Sequence, residues 1–148
     1  MRRLVLFVLV IGLIGTGLEL ALLDHFEDSL QVLPVALIAA AGASLVWLLV
    51  RPGRAIVRVF QGVMVAFVLA GALGVLLHYR GNLAFQQEID PEQRRSEMFW
   101  NALHAKSPPA LAPGVMVQLG LLGLIFGYRH PAAAGTTEGN VSSPEAMT

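Results

Sequence analysis

The chain has 148 residues, of which 55% are hydrophobic and 14% charged, with a formal net charge of zero and no cysteine. Soluble domains carry about 25% charge, so a mean hydropathy of +0.66 with that shortage of charge points to a membrane protein. The neutral balance argues against a nucleic-acid partner, and the lack of cysteine excludes disulfides, thiolate metal sites and cysteine nucleophiles.

Four apolar stretches are long enough to cross about 30 Å of hydrocarbon at about 1.5 Å per residue. They lie at about 4–23, 32–50, 55–77 and 111–128. Arg2-Arg3 ahead of the first run is also how a secretory signal begins. That run has 20 residues, longer than a usual signal core, and Asp24-His25-Phe26-Glu27 contains no small-x-small cleavage site. It reads as an uncleaved first span. Pro34 falls in the first turn of the second span and Pro113 near the start of the fourth, where a missing N–H is tolerated.

Lys and Arg placement sets the orientation. With the N-terminus inside, the inner side holds Arg2, Arg3, Arg51, Arg54, Arg58 and Arg129. The first outer loop, residues 24–31, has no Lys or Arg, and the second has Arg80, Arg94, Arg95 and Lys106. Both ends are expected inside, in the cytoplasm. Between spans three and four, Asp90-Pro91-Glu92-Gln93 reads as a helix start. Asp90 would cap, Pro91 take the first helical position and Gln93 complete a capping box. The helix would run to about His104 with Met98, Phe99, Ala102 and Leu103 on one face and Trp100 at headgroup level. The expected fold is all-α: a four-helix transmembrane bundle over 1–131 with a short amphipathic periplasmic helix. Residues 132–148, rich in Ala, Gly, Ser and Thr, read as a disordered cytoplasmic tail.

Small residues recur at one helical spacing. Gly12, Gly15 and Glu19 stand at i, i+3 and i+7 in span one, and Gly71, Gly74 and His78 repeat this in span three. Gly120, Gly123 and Gly127 do so in span four, and span two has Ala36, Ala40, Ala43 and Trp47 on one face. Such faces let helices approach closely in lipid. On this pattern Glu19 and His78 face the bundle interior near its outer end. Glu19 lies roughly 24 Å along the helix from Arg3, and His78 roughly 30 Å from Arg58. A contact between spans one and three would then gather a polar cluster of Glu19, Asp24, His25, His78 and Arg80.

Glu19 has three readings: a structural lock paired with Arg80 or His78, a cation or proton site, or a carboxylate that snorkels outward. Imidazole and carboxylate are divalent-metal donors, with Glu19, His25 and His78 as candidates. However, no His-x-x-x-His or Glu-x-x-His spacing is present. An acidic solvated outer loop is the favoured reading of Asp24, Glu27 and Asp28 over a metal site. Haem ligation by His25 and His78 is disfavoured because both sit at span ends. The serines have no triad context, and Gly12-Leu13-Ile14-Gly15-Thr16-Gly17 lies in an apolar span with no strand before it, so it is no phosphate loop.

The residues Gly15-Thr16-Gly17-Leu18-Glu19-Leu20, His25, Glu27-Asp28 and His78-Tyr79-Arg80-Gly81-Asn82, together with Phe99-Trp100, Ala112-Pro113-Gly114, Gln118-Leu119-Gly120-Leu121 and Tyr128-Arg129-His130-Pro131, resemble a group of small uncharacterised bacterial four-span membrane proteins. The resemblance covers residues 4 to about 131 and implies a fold and a location, not an activity. The functional expectation is an accessory or binding component, not an enzyme, whose partners are the bilayer and another membrane subunit or a second copy. The alternative is a small transporter or metal-handling protein using Glu19, His78 and His25. A third reading is an enzyme acting on a lipid or quinone at the outer leaflet.

Overall fold

The computed structural model describes residues 1–22, 29–104 and 111–133. Among them there is no strand. The elements are α1 (Arg2–Leu22), α2 (Ser29–Val50), α3 (Arg54–Ile89), α4 (Arg95–Leu103), α5 (Ala112–Gly127) and a short 3-10 turn at Pro131–Ala133. Asp24 and His25, with the rest of the first outer loop before Ser29, lie outside the described residues, as does the tail from Ala134 onward.

Helices α1, α2 and α3 are long and apolar enough to cross a membrane, whereas α5 has 16 residues. At about 1.5 Å per residue α5 spans only about 24 Å, about half a turn less than the expected fourth stretch. Helix α2 starts at Ser29, so Pro34 sits inside the helix and not in its first turn. Helix α3 runs through 36 residues, 12 beyond the end of its apolar run at Leu77.

The break after α3 corrects the expected helix start at Asp90. Asp90 ends α3: its N–H donates to the Gln86 carbonyl at 3.0 Å, and its backbone has left the helical region at φ −141, ψ 88. Pro91 explains this, because its ring pushes the preceding residue out of the helical region. Helix α4 begins four residues later, at Arg95. Its Met98 and Ala102 are buried against α3, and Asn82 of α3 donates from Nδ2 to the Ala102 carbonyl at 3.0 Å.

The four apolar helices touch in a ring: α1 with α2, α2 with α3, α3 with α5, and α5 with α1. Neighbours are antiparallel. Arg2 at the start of α1 reaches the end of α5, Gly17 of α1 faces Ile38 of α2, and Gln61 near the start of α3 reaches Gly127. Helices α1 and α3 therefore occupy opposite corners. Leu9 and Leu13, Leu45 and Leu48, Phe60 and Phe67, and Leu119 and Phe126 meet in one core from all four helices. The outside carries Leu4, Ile14, Leu18, Val46 and Leu69, each more than half exposed. An apolar exterior of that extent is far beyond what a water-soluble monomer presents.

The closest seam is α3 against α5. A Cβ on Gly71 would lie 2.7 Å from the Pro113 carbonyl oxygen, and one on Gly120 would lie 2.9 Å from that of Met64. Gly123 faces the Met64 side chain, Gly74 the Pro113 ring and Gly127 Gln61. In α1, Gly12 faces the Leu119 side chain, whereas Gly15 has nothing near it.

Candidate functional site

The residues singled out in the sequence do not assemble into one site among the described residues. Helix α1 buries Leu9, Leu13, Thr16 and Leu20, which share a face. Glu19 falls about a quarter turn off that face at about 100° per residue, and it is exposed. His78 is half-buried and Arg80 exposed on α3, at the opposite corner of the ring. Glu19, His78 and Arg80 make no hydrogen bond or ion pair among the described residues, where the ion pair is Arg94 with Glu97 on α4. The ring is the reason for these three: α5 and α2 lie between α1 and α3, which do not touch among the described residues. Asp24 and His25 lie outside the described residues. Among those described, no three His, Asp or Glu side chains are grouped to hold a metal ion.

The described acids are confined to one end of the bundle, which Arg80, Arg94 and Arg95 share. Arg2, Arg3, Arg51, Arg54, Arg58 and Arg129 all sit at the end where α1 and α3 begin, and α2 and α5 finish. The described acids, Glu19, Glu88, Asp90, Glu92 and Glu97, all lie toward the other end. Arg2 donates from Nη2 to the carbonyls of Tyr128 and Arg129 at 3.0 and 3.1 Å. It thereby satisfies acceptors left open where α5 stops. Arg129 is left-handed at φ 45, unusual for a residue with a side chain, and this turn aims both carbonyls at Arg2. Gln61 donates from Nε2 to the Gly127 carbonyl at 3.0 Å. The sequence signal for Gln61 is a lone amide in an apolar run, which is costly unless bonded.

At the same end His130 stacks edge-on to Phe126 at 5.4 Å. Burial, and secondarily the Arg2 guanidinium, hold its imidazole below the usual histidine value of 6.5. Protonation is therefore harder in the folded chain than in the unfolded one. The stability His130 contributes is complete above pH 6.5 and is lost as pH falls through the lowered folded value. Amide exchange at residues 128–133, corrected for intrinsic rates, should accelerate from pH 7 to pH 5, and His130→Gln should flatten that dependence.

The other end is aromatic. Tyr79 meets Phe99 edge-on at 5.9 Å, Phe99 meets Trp100 at 5.5 Å, and the His104 ring lies 6.1 Å from Trp100. Rings with one apolar body and one polar edge suit a membrane–water boundary. Comparison of the chain with family models, with curated proteins and with solved structures finds no match.

Proposed function

We propose that the chain is a four-span protein of a bacterial inner membrane, with both ends cytoplasmic, that acts as an accessory subunit docking through α1. The ring of antiparallel helices, with six of the nine arginines and none of the described acids at one end, supports this topology. Helix α5 crosses despite its length by the bilayer thinning locally or by its flanks reaching the boundary. The resemblance to small four-span bacterial proteins points the same way.

The observation that carries the docking role is Glu19. It stands exposed on α1 one turn above Gly15, whose Cβ position opens onto empty space, with Ile14, Leu18 and Leu22 exposed around it. A carboxylate at mid-membrane costs on the order of 2.5–3.5 kcal/mol on insertion scales, less toward the boundary where Glu19 lies. A partner helix that seats on Gly15 and offers a donor to Glu19 removes that cost and covers the apolar face. A photocrosslinker at Leu18, in cells, is expected to give a protein adduct that Glu19→Leu abolishes. The same probe at Leu69 on α3 should label lipid only. Lipid labelling alone at both positions would overturn the docking role, and the mass of an adduct separates a second copy from another subunit.

A further inference from the structure

On the outer side of α2 lies a groove of about 550 Å³, lined by Gly42, Ala43, Val46, Trp47, Val50 and Arg51. Two neighbouring i, i+4 ridges form it: Gly42-Val46-Val50 and Ala43-Trp47-Arg51. It is open along its length, with small residues at one end and an indole and a guanidinium at the other. We propose that this groove binds one anionic phospholipid of the leaflet at the basic end of the bundle, with an acyl chain along Gly42, Ala43 and Val46 and the phosphate at Arg51.

Three features select this occupant. The first is length. From Gly42 to Arg51 the helix rises about 13.5 Å, close to half of the roughly 30 Å hydrocarbon layer. The groove therefore runs from the membrane boundary to the midplane, the reach of one lipid chain. The second is charge. Arg51 and Arg54 are exposed and neither has an ion-pair partner among the described residues, and the described acids lie toward the opposite end of the bundle. A basic surface with no internal counter-charge attracts an anionic headgroup. The third is the indole: Trp47 sits one turn below Arg51, at the depth where tryptophan favours the headgroup region. The groove is built from α2 and the Arg51 that follows it and shares no residue with α1, so it depends on the membrane-spanning reading but not on the docking role.

The test uses the full chain reconstituted in phosphatidylcholine vesicles, with Trp100→Phe so that Trp47 is the sole tryptophan. Phosphatidylglycerol carrying brominated acyl chains, as a minor fraction, is expected to quench Trp47 as though enriched about fivefold over its bulk share, the worth of one arginine near a membrane surface. Brominated phosphatidylcholine at the same fraction should quench only in proportion to its amount. Arg51→Gln should bring phosphatidylglycerol down to its bulk share. Gly42→Leu, whose added side chain enters open space, should do the same by filling the groove while helical content stays unchanged. Raising salt should weaken the preference in the unsubstituted groove, a readout that needs no variant. Equal quenching by the two lipids, or selectivity that survives Arg51→Gln, overturns the proposal. So does a Trp47 shielded from both lipids, which would assign the groove to a second copy of the chain.

Discussion

Gly120→Ala should weaken the folded chain by about 2 kcal/mol, and Gly71→Ala by a similar amount. The methyl group at Gly120 would lie 2.7 Å from Val68 Cγ2, 2.9 Å from the Met64 oxygen and 3.0 Å from the Val68 nitrogen. At Gly71 it would meet the Pro113 oxygen at 2.7 Å and the Val117 nitrogen at 2.9 Å. These neighbours include backbone atoms, so no rotamer change relieves them, and α3 and α5 must move apart along their whole seam. Separation is costly in lipid because close van der Waals contact, and not transfer from water, holds the helices. Gly15→Ala and Gly42→Ala are the matched controls. Neither position has an atom within 4 Å of the added methyl, so both should be neutral or gain up to about 1 kcal/mol from helix propensity. Unfolding in mixed micelles by increasing dodecyl sulfate, followed by circular dichroism, reads the difference. Equal midpoints for Gly120→Ala and Gly15→Ala would show that the α3–α5 backbone approach is not what holds the bundle.

The same pair of sites marks how far the sequence could be read. Spacing reveals which residues share a face, and it correctly groups Gly71 with Gly74 and Gly120 with Gly123 and Gly127. It does not reveal which way a face looks. Gly15 and Glu19 share the spacing of Gly74 and His78, yet α1 turns Leu9, Leu13 and Leu20 inward and leaves Gly15 and Glu19 outside. The expected approach of Glu19 to His78 also assumed that α1 and α3 are neighbours. Ring order is a property of which seams pack closest, and the tight α3–α5 seam places α5 between them on one side. The ends of α3 teach a related lesson. Hydropathy falls after Leu77, but helix continues to Ile89 because nothing in residues 78–89 stops it except a tolerated Gly81. The stop is Pro91, and its effect reaches back to Asp90, which made the same residues look like a start. Conversely, the basic end was legible residue by residue, since arginine placement needs no packing to interpret. The Arg2 clasp on Tyr128 and Arg129 was not, because it joins residues 126 and 127 positions apart.

Phe60→Ala should be the most damaging substitution in the core, at about 2–3 kcal/mol. Phe60 is fully buried, meets Phe126 edge-on at 6.0 Å, and lies 3.4 and 3.6 Å from the Cβ positions of Gly123 and Gly127. Its ring therefore fills the space that the two glycines open, so the α3–α5 seam is a match of large into small and not two small faces alone. Phe→Ala in a water-soluble core costs about 3–5 kcal/mol, of which part is transfer from water and part is the cavity left behind. In a bilayer the transfer part is nearly absent because the unfolded helices already sit among lipid tails. The cavity and lost dispersion contacts remain, which places the expectation at or just below the bottom of that range. Two comparisons separate these contributions. Phe85→Ala, at a ring 58% exposed on the extension of α3, should change stability by no more than about 0.5 kcal/mol. Phe60→Leu, which keeps most of the volume, should recover more than half of the loss. A Phe60→Ala protein as resistant to dodecyl sulfate as Phe85→Ala would mean that the glycines of α5 collapse onto α3 without the ring, and the seam would then owe its stability to backbone contact alone.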